Sequence, residues 1–369
     1  MKLYDLILAS ASRGIAMQRE DGSMPPGHNG PWNHADTPTR TTAHWALIFL
    51  KAFLINRDRK FKQAALNSCE YLLSEKALVN GYFFCRKAPG KYMTNNLVGQ
   101  AWAAEALAIV GTYLENQRFI SFVGHVLGKH FFNSHLYLWH KETSTGNRPS
   151  LCRTLNQQMM FSTVALFAGK KIKDPQLIEQ ARSFFAHFFT FSRFIEPGLP
   201  HHKVFLPLDF ARFNSLYFKT LMKQWVEKYF WKKISVDYLP FILYTTALNH
   251  FLNPDETFWK SVKFKNWFKQ VMDYVVTHFP YGYLESSTSF RWSYNPVGFE
   301  VYFALNEFHQ LLELEVDLEA EKRWVEMQIK GYYDLDSKLM SKNSCDPYVL
   351  MSRLYEAIWL PDLQLRIEP

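Results

Sequence analysis

Residues 42–73, TAHWALIFLKAFLINRDRKFKQAALNSCEYLL, decide the fold. Apolar side chains recur at helical spacing through 42–54 and again through 61–73, and only the short segment 56–59 separates the two runs. A helix that stops and restarts within so few residues must reverse direction, which makes the stretch a helical hairpin. Reading outward, the same periodicity returns at 98–114, 159–167, 175–189, 239–251, 258–278, 297–314, 319–332 and 347–359, with a first amphipathic helix carried by Leu3, Leu6 and Ile7. Helix-start signals agree: Thr41 or Thr42, Asn95 or Asn96, and Asp174 followed by Pro175.

The connections alternate in character. Short ones, at 56–59 and 115–117, only turn the chain. Long ones, at 19–40, 78–95, 133–155, 192–210 and 279–296, hold most of the Gly, Pro, Trp, His and Asn. Strand signals are confined to 81–85 (GYFFC) and 135–140 (HLYLWH), which read as hairpin arms within those loops. Roughly eleven or twelve helices with one elaborate rim predict an all-α, (α/α)6 toroid-like ring of helical hairpins with short β-hairpins in the rim loops. An irregular helical solenoid is the second choice. Composition hardly changes along the 369 residues, so a single helical toroid domain spanning 1–369 is expected.

Composition bounds the function. Aromatic residues make up 17% of the chain, enough to fill spaces between helices and still offer stacking surfaces to sugars. A net charge of +8 suits an anionic partner, but the cations are interleaved with acids, and neither zinc-finger spacing nor an RNP-type aromatic run is present. A small or polymeric acid is therefore expected rather than nucleic acid. Cys69, Cys85, Cys152 and Cys345 form no CxxC pair, so reduced thiols, no metal and no cofactor are expected. The apolar run before Ala9 is too short for a secretory signal, and none approaches the length of a transmembrane segment, so the expected location is cytoplasmic.

Four constellations could carry chemistry. Residues 21–33 (DGSMPPGHNGPWN), continuing to Asp36, Arg40, His44 and Trp45, combine a carboxylate, imidazoles and an indole on a backbone held by Gly and Pro. Residues 99–105 (GQAWAAE) put Trp102 and Glu105 on one helix face, with Gln100 beside the preceding loop. Asn156, Gln157 and Gln158 open an otherwise apolar helix, as caps or as cavity groups. Residues 281–283 (YGY) and 294–300 (YNPVGFE) supply Tyr283, Tyr294, Asn295 and a first-turn Glu300. His201-His202 and Asp237-Tyr238 are lesser candidates. Asp346-Pro347 reads as cap plus first turn, with Arg353 and Glu356 pairing on one face. Phosphate-loop, dinucleotide, HExxH and GxSxG patterns are absent.

Residues 19–23 (REDGS), 30–32 (GPW) and 41–45 (TTAHW) together resemble the Q-type proteins of archaeal agl glycosylation clusters and their bacterial relatives. Residues 99–105, 156–158 and 294–300 resemble further motifs of that family in the same order. Asp237-Tyr238 stands where a Glu-Gly-Tyr-His type of motif is expected, and 192–236 carries no matching motif. Such proteins are similar to the C-terminal part of D-glucuronyl C5-epimerases and to (α/α)-toroid glycoside hydrolases and polysaccharide lyases. The resemblance implies work on uronic-acid-containing glycans in surface polysaccharide or glycoprotein glycan assembly.

Epimerisation and elimination both begin when a base removes the proton next to the uronate carboxylate. Tyr294, Tyr283, His28 or His44 could handle that proton, and Arg40 the carboxylate. A hydrolase needs two flanking acids, for which Asp21 with Glu105 or with Glu300 are the pairs. The expected catalytic set is Asp21, His28, Glu105, Tyr294 and Glu300. The expected saccharide contacts are Trp32, Arg40, His44, Trp45, Gln100, Trp102, Asn156, Gln158, Tyr283 and Asn295. A non-catalytic glycan-binding subunit is the alternative of a different class. Loops 19–40, 78–95, 133–155 and 279–296 are expected to converge on one pocket.

Overall fold

The computed structural model describes residues 1–88, 92–141, 150–206, 228–278 and 295–367. Helices α1 (Leu3–Met17), α2 (Thr39–Asn56), α3 (Arg59–Leu73), α4 (Asn96–Tyr113), α5 (Gln117–Gly128), α6 (Leu155–Ile172) and α7 (Pro175–Ala186) alternate between an inner and an outer layer. They continue as α8 (Lys228–Leu252), α9 (Val262–His278), α10 (Gly298–Phe308), α11 (Arg323–Tyr332) and α12 (Pro347–Ser352). A 3-10 helix, Arg353–Trp359, prolongs α12. The inner helices pack in the order α2, α4, α6, α8, α10 and the α12 segment, and that segment returns to α2. The expected (α/α)6 toroid is therefore a closed ring. Antiparallel contacts between Met1, Leu3 and residues 363–365 tie the two ends of the chain together at the outer wall.

Inner and outer helices differ as burial requires. The outer α3, α5 and α11 each bury one stripe. The inner α2, α4 and α6 are buried nearly all round. Much of the aromatic content is filler between layers: Phe184 meets Phe188 edge-on, Phe258 is tilted on Phe264, Phe264 stacks on Phe268, and Phe268 meets Phe308 at 4.5 Å. Trp45 belongs here too, lodged against Gly14 of α1 and Phe49, where a β-carbon on Gly14 would meet its ring at 2.3 Å.

Three inner-to-outer turns share one device that periodicity did not disclose. Arg57, Glu115 and Lys173 each adopt a left-handed backbone, with φ of 61°, 57° and 58°. Each is followed at once by a capping residue, Asp58, Asn116 or Asp174, which accepts a backbone N–H of the next helix's first turn. The outer-to-inner connections carry the β-hairpins instead. Strands β1 (Leu78–Val79) and β2 (Tyr82–Phe83) follow α3; β3 (Phe132–Asn133), β4 (Leu138–Lys141) and β5 (Ser150–Leu151) follow α5. Strands β6 (Phe194–Glu196) and β7 (Leu199–Pro200) follow the α7 region, and β8 (Tyr333–Asp334) and β9 (Leu339–Met340) follow α11. All pair antiparallel. Helix α8 begins earlier than the periodicity suggested, and Pro240 lies inside it. No helix among the described residues is long and apolar enough to cross a membrane. The four cysteines are free thiols.

A left-handed residue other than Gly is held against a steric penalty of about 1–2 kcal/mol, offset in part by the greater chain entropy of Gly. Replacing Arg57, Glu115 and Lys173 by Gly is therefore expected to stabilise the fold by about 0.5 kcal/mol per site. Denaturant unfolding checks this, and a destabilised triple variant would contradict it.

Candidate functional site

The first turns of the inner helices face the hairpin rim, and polar side chains there hold the rim backbone. Gln100 of α4 accepts the Phe83 N–H at 2.8 Å and donates to the carbonyls of Phe83 and Thr94, both at 2.9 Å. Gln158 of α6 repeats the arrangement: it accepts from Trp139 N–H and donates to the carbonyls of Trp139 and Cys152. Thr42 of α2 accepts from Met24 N–H, and Ser235 of α8 from His202 N–H. Asp346, the N-cap of α12, accepts from His28 and Gly30 N–H, both at 2.9 Å, as well as from Val349 N–H. Both amide hydrogens of Gln100 and of Gln158 are thus spent on carbonyls, so neither has a donor for a sugar. These two expected saccharide contacts act in the structure as rim clamps.

Inside the clamps lies a buried polar cluster assembled from five inner segments. Arg40 lies over the Trp102 indole, 4.5 Å from its centroid, and forms no ion pair among the described residues. His44 stacks on Tyr355 at 3.9 Å and meets Trp102 edge-on. Its Nδ1 is 3.2 Å from Ser352 Oγ, whose own hydrogen goes to the Val349 carbonyl. Nδ1 must therefore be the donor, which leaves Nε2 a bare lone pair with no partner among the described residues. Burial, with the charges of Arg40 and Arg353, holds His44 well below the usual histidine range, so it is neutral.

Glu105 is the opposite case. Burial pushes its carboxyl up to about 8 against a lowering hydrogen bond from Tyr244, so it carries a proton at neutral pH. Deeper in the cluster, the fully buried Arg353 pairs with Glu300 at 2.9 Å and with Glu356. The two carboxyls lie within hydrogen-bonding reach of each other, and burial raises both; one proton between them is the arrangement that avoids two adjacent buried charges. Arg40, whose Nε has no hydrogen-bond partner among the described residues, places its charge beside the buried Asp36 and Glu356 and lowers both carboxyls against their burial.

The other expected residues fall as follows. Asp21 accepts from Ser23 and pairs with Lys76 at 2.9 Å, outside the cluster; the Lys76 and Ser23 hydrogen bonds hold it down at about 2. Its described partners are Ser23 and Lys76 rather than Glu105 or Glu300. Trp45 packs on α1, as described, and not on the pocket. His28 is half-exposed with Nδ1 3.0 Å from the Gly30 carbonyl, and Trp32 is half-buried in the turn Gly30–Trp32. Asn156 and Asn295 are buried, each with its Oδ1 lacking a partner among the described residues. Tyr283 and Tyr294, with most of loop 279–296, lie outside the described residues, so only part of the expected four-loop pocket can be traced. The sequence reading missed Tyr244 and Tyr355 altogether. It saw Arg353 and Glu356 as a local ion pair without their third member, Glu300.

A ring of inner and outer helices with its polar groups gathered at one mouth is an (α/α) toroid of the kind found in carbohydrate-processing enzymes. The fold is similar to that of a D-mannose isomerase, with TM-score 0.62 at 12% identity over 96% of each chain. It is also similar to the unsaturated glucuronyl hydrolase of Bacillus sp. GL1, with TM-score 0.63 at 13% identity over 96% of this chain and 95% of that one. No protein-family model matches. In sequence, the chain is 29% identical over 382 residues to archaeal glycosylation protein Q of Haloferax volcanii, covering 99% of both proteins.

Two outcomes are expected. Gln100→Leu strands the Phe83 N–H and two carbonyls, and should cost at least about 2 kcal/mol in denaturant unfolding. Glu105 has a folded-state pKa above its ordinary 4.5, so its contribution to stability is complete below that pH and is lost as pH rises through about 8. Glu105→Gln should make the fall of stability between pH 4.5 and 8 shallower, measured by unfolding across that range. An unchanged slope would show Glu105 ionised throughout.

Proposed function

We propose that the protein is a carbohydrate-active enzyme of glycan assembly that removes a proton from the carbon next to a uronate carboxylate, as a uronosyl C5-epimerase or lyase. The observation that carries this reading is a base and an acid held in opposite states within one buried cluster. His44 offers a bare Nε2, and Glu105 keeps a proton at neutral pH. Arg40, lying on Trp102 without a direct ion pair among the described residues, suits the substrate carboxylate and the anion that forms when the neighbouring C–H is broken. In the forward step His44 Nε2 takes the C5 proton and the electron pair delocalises into the carboxylate. Glu105 then returns a proton to C5 from the other face, or protonates the departing oxygen in elimination.

Hydrolysis is less well supported. Two catalytic acids must stand about 5–9.5 Å apart to flank a glycosidic bond. Glu300 and Glu356 instead touch each other across one arginine. The similarity to a glycosylation protein along the whole chain supports a role in building glycans.

The test is incubation with oligosaccharides containing glucuronate in deuterated water. Deuterium at C5 is expected, and new ultraviolet absorbance from an unsaturated uronide separates lyase from epimerase. His44→Ala and Arg40→Ala should each lower the rate by about 100-fold or more. Reducing-end release without C5 exchange, or binding without any turnover, would rule the reading out.

A further inference from the structure

The side chain of Glu105 has one oxygen with a partner and one without, and the partner is itself held from beyond. Tyr244 Oη lies 3.0 Å from Glu105 Oε1, and Trp359 Nε1 lies 3.0 Å from the same Oη. An indole N–H can only donate. Tyr244 therefore accepts from Trp359, and its single hydrogen is directed to Glu105 Oε1. Oε1 is then an acceptor, and a neutral Glu105 has only Oε2 on which to keep its proton. Oε2 has no protein partner among the described residues.

Trp359 reaches this position from the far side of the ring. It lines a cavity of about 350 Å³ with Leu47, Leu50, Ile109 and Phe251 at the tight-turn mouth. Leu54 of α2 stands ten residues, about 15 Å, beyond His44 along the helix. The chain Trp359, Tyr244, Glu105 thus runs inward from the mouth opposite the rim.

We propose that Trp359 and Tyr244 are positioning residues that place the proton of Glu105 on Oε2 and so make Glu105 a one-directional acid. Its catalytic consequence rests on the proton-transfer reading above; the placement of the proton does not. Without the Trp359 N–H, Tyr244 is free to turn and accept from Oε1–H, and the proton is then shared between two orientations. The titratable groups that interact with Glu105 are Tyr244 from α8 and Tyr355 from the closing segment. Helix α2 brings His44 and Arg40 only as far as Trp102, one turn away, and the α6 residue recorded near Tyr244's turn is the uncharged Met160.

The experiment is difference infrared spectroscopy of the full chain, without substrate, combined with pH–rate profiles. A protonated-carboxyl C=O band that disappears in Glu105→Gln is expected at neutral pH. Trp359→Phe, which keeps the ring and removes the donor, should shift or split that band and lower kcat about 10-fold with KM unchanged. Tyr244→Phe removes a hydrogen bond that lowers the Glu105 pKa, so the alkaline limb of the rate profile should move up from about pH 8. Circular dichroism of each variant checks the fold, and Trp359→Tyr serves if Trp359→Phe does not fold. No band at neutral pH, or an identical band and kcat in the Trp359 variant, overturns the proposal. A shifted band with no C5 exchange in the wild type supports the proton placement and removes the epimerase or lyase reading alone.

Discussion

A loop that dips into the interior of a helical ring takes backbone N–H and C=O groups away from water, and each needs a partner. In this protein the inner helices supply those partners. Gln100 and Gln158 make matching three-bond clamps on β2 and β4, and Thr42, Ser235 and Asp346 do similar work on two other rim segments, the loop from Met24 to Gly30 and the one around His202. Because each clamp sits on an inner helix, or at its N-cap, the rim is fixed to the same layer that carries the polar cluster. Asp346 joins the segment around His28 and Gly30 to the closing helix, so first and last parts of the ring share one carboxylate.

Behind the clamps, burial decides protonation. The same desolvation lowers His44 and raises Glu105, because one is charged when it gains a proton and the other when it loses one. Arg353 pairs with Glu300 and Glu356, while Arg40 acts on Asp36 and Glu356 without a direct ion pair among the described residues.

Several site residues were legible because their neighbours in sequence reveal their helix face. Trp102 and Glu105 share a face three residues apart, and Arg353 with Glu356 does the same. The contacts of Asp21 and Trp45 could not be read from their sequence neighbours. A carboxylate in a Gly- and Pro-rich loop looks equally suited to a sugar and to Lys76, and nothing adjacent to Trp45 reports that Gly14 makes room for it.

The sequence by itself determined the ring: helical periodicity, caps and the alternation of tight turns with elaborate loops are properties of a few consecutive residues. Only the tertiary structure decided which polar side chains hold the backbone and which are left for chemistry. Gln100 and Glu105 stand five residues apart on one helix, yet one is spent on a hairpin and the other meets Tyr244, 139 residues away. Glu300 finds Arg353 across 53 residues. A buried group's charge and free valences are set by partners that only ring closure brings together, and no local pattern encodes them.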